Sequence, residues 1–399
     1  MRIAFIAGEY PPMQGGLGDF TRELAQSIAA AGHETHILTR PAPPAAADET
    51  VNGVHIHRNM PAWGWRTRRH IEAFMRQWQP DVINLQYQAA AYQMHGAINL
   101  LVGQLAKRCK TVVTFHDLRV PYLFPKAGPL RWQAILHMAR SAQHVIVTNA
   151  EDEATLHKTG LRHVSVVPIG SNIAPAALPH FDPHAWKSSN SIDPTLRLIG
   201  YFGFMNESKG GETLLRALAQ LRDLNVGLLL IGGQHGASDP TNIAYAKYLT
   251  DLEVSLGLTP APQPSESLKT SEIYPSIFRT GFIDEAGVSA ALNTCSCLAL
   301  PYRDGVSFRR GTLLAALAHG CAVVSTQPRI HLPEVIDAQN MLLVPPDDPT
   351  ALAQAIRRVL SDPALCQTLQ QGSLALSQQF QWGTIAQKTL ACFSNLTQK

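Results

Sequence analysis

The sequence predicts an α/β chain of two Rossmann-like domains facing a central cleft. Three observations predict it. Short apolar runs of strand length alternate with amphipathic stretches of helix length along the chain. A glycine loop follows the first strand of each half: Gly15-Gly16 early in the chain, and Gly203 with Gly210-Gly211 past its middle. Between the halves, residues 174–195 are rich in Pro, Ser and Asp, break the periodicity and read as a linker. Residues 1–173 and 196–375 are then the two domains.

Composition narrows the function classes. At 399 residues there is room for two ordinary cores. A net charge of +3, with no basic tail and no aromatic-basic interleaving, argues against nucleic acid as a partner. No apolar stretch reaches membrane-span length, and the apolar run in MRIAFIAGEYPP is too short for a signal peptide. The six cysteines show neither a disulfide framework nor zinc spacing, so buried thiols are expected. The sixteen histidines contain no HExxH, so neither a metal nor another cofactor is expected.

The first half opens with the strand Arg2–Ala7. The loop Glu9–Gly18 leads to an amphipathic helix from Asp19 to Gly32, with Asp19 as its cap, and Thr35–Thr39 is the second strand. Gly15-Gly16 lacks GxGxxG spacing, so no dinucleotide is indicated, though two glycines let backbone approach a ligand. Val54–His57, Asp81–Leu85, Thr111–Phe115, Val145–Thr148 and Val164–Val167 read as strands, Ile71–Trp78 and Ala89–Lys107 as helices. His116 stands at a strand's carboxyl end, where open parallel sheets bind ligands.

The second half repeats the plan. The strand Leu196–Gly203 is followed by a loop carrying Lys209, a phosphate candidate beside a glycine turn, and by the helix Glu212–Leu221. Val226–Ile231 and Ile277–Phe282 are strands, and residues 236–275 form an excursion from the sheet. The stretch from Leu300 to Thr326 organises the rest. A buried strand, Cys297–Leu300, runs into a polar loop with Asp304, Ser307, Arg309 and Arg310. Gly311-Thr312 then open a helix that stops at Gly320. A helix N-terminus beside two arginines suits a phosphate or diphosphate, whereas an isolated Arg-Arg pair would more simply be solvated loop charge.

Nine motifs in order now carry a resemblance: Glu9-Tyr10-Pro11-Pro12…Gly15-Gly16, Ala31-Gly32-His33-Glu34-Thr35, Thr114-Phe115-His116-Asp117, Pro168-Ile169-Gly170, Gly203…Lys209-Gly210, Thr280-Gly281-Phe282, Ala318-His319-Gly320…Val323-Val324, Pro333-Glu334-Val335 and Val344–Pro349. Over nearly its whole length the chain resembles the retaining, nucleotide-sugar-dependent glycosyltransferases of the two-Rossmann (GT-B) type. The resemblance implies an N-terminal acceptor domain, a C-terminal donor domain, and a last helix, within 376–399, that packs back on the first domain. It implies that Gly15 and Gly16 bring backbone to the donor diphosphate and that His116 contacts the transferred sugar. Lys209 would neutralise the leaving phosphates beside Gly203, Gly311 and Thr312, and Phe282 and Ile283 would lie along the base. It further implies front-face transfer assisted by the leaving phosphate, which needs cations and dipoles rather than a metal.

Departures from that pattern stand out. Phe204 occupies the place of an arginine common in relatives, and Ala315 that of a second glutamate. The first glutamate aligns with Asp304 if the loop is taken as two residues longer. The expectation is relocation: Arg309 and Arg310 supply the phosphate cation that Phe204 cannot, with Ser307 or Thr312 giving polar contacts. The leading function is sugar transfer from a nucleotide diphosphate sugar to a saccharide or lipid-linked saccharide in cell-surface polysaccharide or glycoconjugate synthesis. A catalytically degenerate nucleotide-sugar binder or scaffold, and a sugar-nucleotide epimerase, are the competing classes. The acceptor would meet variable loops such as 61–69 and 119–130. A cytoplasmic enzyme is expected, with peripheral contact at the inner membrane face as a further expectation.

Overall fold

The protein is described from a computed structural model, covering residues 1–13, 15–118, 128–171, 173–233, 240–260 and 276–397. It divides into two compact units, Met1–Gly170 with Phe380–Lys399, and Ser171–Gln379. The sequence expectations at 119–127 and 261–275 lie outside the described residues.

The first unit is built on an eight-stranded sheet. Its strands are β1 (Arg2–Ala7), β2 (Glu34–Leu38), β3 (Asp48–Val51), β4 (Val54–His57), β5 (Val82–Tyr87), β6 (Lys110–Phe115), β7 (His144–Val147) and β8 (Val164–Val166). They lie in the order β3-β4-β2-β1-β5-β6-β7-β8. All neighbours run parallel except β3 and β4. The order reverses between β1 and β5, so the loops leaving them turn to opposite faces and open a crevice at the carboxyl ends. Helices α1 (Gly16–Ala30), α2 (Thr67–Trp78), α3 (Ala97–Leu105), α4 (Gly128–Ser141) and α5 (Ala150–His157) join the strands. Burial on both faces explains the near-continuous apolar strands.

The second unit begins with helix α6 (Pro183–Ser189) and holds a seven-stranded sheet. Its strands are β9 (Arg197–Phe202), β10 (Val226–Ile231), β11 (Thr259–Pro260), β12 (Ser276–Arg279), β13 (Cys297–Leu300), β14 (Val323–Thr326) and β15 (Leu342–Val344). The order is β11-β12-β10-β9-β13-β14-β15, all parallel, with its reversal between β9 and β13. Helices α7 (Gly211–Leu218), α8 (Pro240–Ser255), α9 (Glu285–Thr294), α10 (Gly311–Ala318), α11 (Pro349–Ser361) and α12 (Pro363–Ser377) flank it. Helix α13 (Trp382–Thr397) returns to the first unit. There Phe393 meets Phe5 at a ring separation of 6.5 Å and Trp382 meets Phe20 at 5.4 Å.

Several expectations are redrawn. Residues 174–195 are not a bare linker: α6 packs on α9, and buried Lys187 donates to the carbonyls of Pro194 and Leu196 at 2.9 and 2.8 Å. The stretch 89–107 is not one helix. The buried Tyr92 hydroxyl bonds the carbonyls of Ile6 and Gln86 at 3.0 and 2.8 Å, pinning a 3₁₀ turn. Gln93 and Met94 then adopt positive φ before α3 starts. The hairpin β3–β4 went unread although Asn52-Gly53, both at positive φ, is its turn signal. The last helix starts later than residue 376: α12 ends at Ser377, and a short 3₁₀ turn, Gln378–Phe380, precedes α13. Asp19 lies inside the first turn of α1 and pairs with Arg22 at 3.4 Å, so the cap position falls to Gly15.

Candidate functional site

In the second unit, adjacent strands β9 and β13 deliver two loops to the sheet's switch point. The loop after β9 carries Gly203 at φ +110, a conformation that favours glycine. A methyl group there would lie 2.6 Å from the Thr312 side chain and 3.7 Å from Lys209 Nζ. The glycine after β9, the lysine and the start of α10 therefore meet at one point. Gly210, at φ +71, lets the chain turn against the Pro301 carbonyl, which a side chain would overlap. Arg303 N donates to Ser208 O at 3.0 Å, tying the two loops together.

The loop after β13 is folded by its own backbone. Val306 N donates to Thr326 O at 3.2 Å, and Arg310 N to Ser307 O at 3.3 Å. Ser307 Oγ accepts from Arg309 N at 3.4 Å, so this serine organises the turn. Arg309 is half-buried. Arg310 lies over the buried Tyr302 ring at 4.4 Å and ion-pairs with exposed Asp304. Tyr302 in turn shares a hydrogen bond of 3.2 Å with Thr312. Helix α10 starts with no side-chain cap, so the amides at Gly311 and Thr312 offer their N–H groups at a positive dipole end. Burial, followed by the nearby Arg310 charge, pushes the Lys209 ammonium down to about 8. Two cations held close together in partial burial form a site ready for an anion.

Past the end of β12, Phe282 is 91% exposed, and Ile283 packs back on the first turn of α9 beside Gly287. Gly281 bridges to Gly232, and the Phe204 ring, half-exposed, lies against the neighbouring Gly233. Phe204 thus contributes an aromatic face to this loop. Ala315 is fully buried on α10, a core position.

In the first unit, Gly15 lies against the Glu9 carboxylate, and a side chain there would collide with it. Gly16, with nothing within 4 Å of an added methyl group, is open. The glycine loop is braced by buried Arg58, which donates to Pro11 O at 2.8 Å. His116 follows β6 and donates its amide to Tyr87 O at 3.0 Å. Its Nε2 lies 2.7 Å from Gln86 Oε1, and its ring meets the edge of Phe20 at 4.7 Å. Burial pushes its pKa down to about 4, so the imidazole is neutral at physiological pH.

Sequence reasoning singled out Lys209, Arg310, Gly203, Gly311 and Thr312, and the fold gathers them. It missed Tyr302, which supports both Arg310 and Thr312, and Gln86, which holds His116. It also missed Arg303, whose pairs with Glu207 and Asp347, at 2.9 and 3.0 Å, brace the loop. The signal for Tyr302 was its place immediately after a strand-ending proline. Nothing in the sequence marked the others, whose partners lie far along the chain. Among the described residues, no group of three His, Cys, Asp or Glu side chains could hold a metal ion.

A glycosyl transferase 4-like domain matches residues 15–170, and a glycosyl transferases group 1 domain matches 197–362. The chain belongs to the GT-B glycosyltransferases. A glycogen synthase of Mycobacterium tuberculosis is 25% identical, over 98% of this chain and 93% of that protein. A D-inositol 3-phosphate glycosyltransferase of Corynebacterium urealyticum is 22% identical, over 91% and 88%. Among solved structures, sucrose-phosphate synthase from Thermosynechococcus elongatus aligns with a TM-score of 0.71, 22% identity and coverage of 99% and 98%. Anabaena HepE in complex with UDP aligns with a TM-score of 0.72, 18% identity and coverage of 99% and 100%. Among the described residues of this glycosyltransferase, no helix is long and apolar enough to cross a membrane.

Proposed function

We propose that this glycosyltransferase is a retaining, metal-independent enzyme that moves a sugar from a nucleotide diphosphate sugar to a saccharide or lipid-linked saccharide acceptor. The observation that carries the reading is the meeting of Lys209 and Arg310 with the uncapped start of α10. Loss of a diphosphate leaving group concentrates negative charge on its phosphate oxygens. Lys209 Nζ, the Arg310 guanidinium and the amides of Gly311 and Thr312 are the groups that would stabilise that charge. Arg310 leaves its pair with Asp304 to do so, which is the relocated cation in place of Phe204. Neutral His116 hydrogen-bonds the transferred sugar, and Phe282 offers its exposed face to the base. Gly16 adds a backbone N–H to the diphosphate. The leaving phosphate takes the acceptor's proton as the new bond forms on the same face of the sugar.

The relative named for UDP supports a uridine donor as the first to try. The test is incubation with UDP-α-glucose and other nucleotide sugars beside saccharide acceptors, with product anomers read by NMR, with and without EDTA. An α-linked product, insensitive to EDTA and reduced roughly a hundredfold in kcat by Lys209→Ala, is expected. A β-linked product overturns retention, and abolition by EDTA overturns metal independence. Saturable donor binding with neither transfer nor hydrolysis would establish instead the degenerate binder that Ala315 and Phe204 raise. Acceptor class and cell-surface role follow from an acceptor panel that includes lipid-linked saccharides. Sedimentation with anionic vesicles tests residence at the inner membrane face.

A further inference from the structure

A chain of buried polar groups leads from the middle of the first sheet to His116. Asn84 and Gln86 on β5 and Thr114 on β6 are at most 2% exposed. Asn84 and Gln86 stand two residues apart on one strand and so share a face of the sheet. Asn84 Nδ2 donates to Thr114 Oγ1 at 2.9 Å, and Thr114 Oγ1 lies 3.1 Å from Asn84 Oδ1. Gln86 Nε2 donates to Asn84 Oδ1, and Gln86 Oε1 stands 2.7 Å from His116 Nε2. A strand covered on both faces is ordinarily apolar, and amides there are tolerated only when hydrogen-bonded. Here each amide has a partner, and the chain ends at the one imidazole that closes the strand's carboxyl end.

Run in that direction, the chain assigns a proton. With its nitrogen given to Asn84, Gln86 turns its oxygen to the ring. An amide oxygen only accepts, so the facing His116 Nε2 carries the hydrogen and Nδ1 keeps its lone pair. We propose that Gln86 is a positioning residue that locks His116 in the Nε2–H tautomer and leaves Nδ1 as a hydrogen-bond acceptor for a hydroxyl of the transferred sugar. This rests on the reading above that His116 meets the sugar. The edge of Phe20 holds the ring plane. Burial, by keeping the ring neutral, keeps Nδ1 able to accept. The imidazole then acts as an orienting acceptor rather than as an acid.

The full chain labelled with ¹⁵N-histidine tests this directly. His116 is assigned among the sixteen histidines by the signal lost in His116→Gln. The expected spectrum of the wild type has a protonated Nε2 and a bare Nδ1 from pH 6 to 9. Gln86→Met removes the acceptor, and its His116 should lose that single tautomer. With UDP-glucose as probe, kcat/KM for UDP release should fall roughly tenfold while affinity for UDP alone is unchanged. Gln86→Glu keeps an acceptor and should keep the Nε2–H signature. A protonated Nδ1 in the wild type, or an unchanged tautomer in Gln86→Met, overturns the proposal. Failure of the underlying reading looks different: His116→Ala would then release UDP at the wild-type rate while the tautomer result stands.

Discussion

Replacing Arg310 by Met removes one of the two cations at the mouth of α10 and tests how they are coupled. In the wild type, Lys209 titrates near about 8, held down first by burial and second by the Arg310 charge. At pH 7 it is then roughly nine-tenths charged, and at pH 9 roughly one-tenth. A charge-assisted hydrogen bond contributes about 1.5–3 kcal/mol, or roughly a tenfold to hundredfold change in affinity. UDP affinity measured by calorimetry should therefore be level from pH 6.5 to 7.5 and decline by that range towards pH 10. Binding at pH 8.5 should take up protons, seen as a dependence of the apparent enthalpy on buffer ionisation. Arg310→Met should change two things in opposite directions. Affinity at pH 7 drops by a similar factor, because a phosphate contact is lost. The alkaline decline moves to higher pH, because a like charge beside Lys209 is gone, yet stays below 10.5 because burial remains. The sign for stability follows from linkage. The folded value lies below the unfolded one, so the cost of burying the ammonium is fully present below about 8. It is relieved as pH rises from there towards 10.5. Affinity that stays flat to pH 10 in the wild type, or an alkaline limb that does not move in Arg310→Met, refutes the coupling.

Three further outcomes are expected. The pH–rate profile should show no acid limb near 6.5 from His116, since burial holds it at about 4, and a loss of rate centred on the ordinary histidine value would contradict this. Gly203→Ala should cut UDP affinity at least tenfold in a titration, because the added methyl meets Thr312 at 2.6 Å on backbone at φ +110. Phe393→Ala on α13 should lower unfolding free energy in urea by about 3–5 kcal/mol, because its ring is fully buried against the first unit's core; a change below 1 kcal/mol would show that α13 is dispensable.

Periodicity in the sequence was enough for the buried strands, because a sheet covered on both faces demands apolar runs that local composition displays directly, but not for the exposed, polar edge strand β3. It was also enough for Lys209, Gly203 and the start of α10, since a loop between a parallel strand and the next helix must emerge at the carboxyl edge where ligands bind. The nine motifs, read as a resemblance, reached the family before any coordinate did. Other features could be read only once the chain was folded. The helix expected across residues 89–107 is broken because Tyr92 bonds the carbonyl of Ile6, a partner far away in sequence. Arg303 finds Glu207 and Asp347 through loops brought together by strand order, and Arg310 finds the Tyr302 face because its own loop folds back on itself. Sequence alone named His116 at a strand's carboxyl end and Lys209 in a loop beside a glycine turn. What makes one a neutral imidazole and the other a lysine titrating near 8 is desolvation and nearby groups, and these exist only in the packed structure.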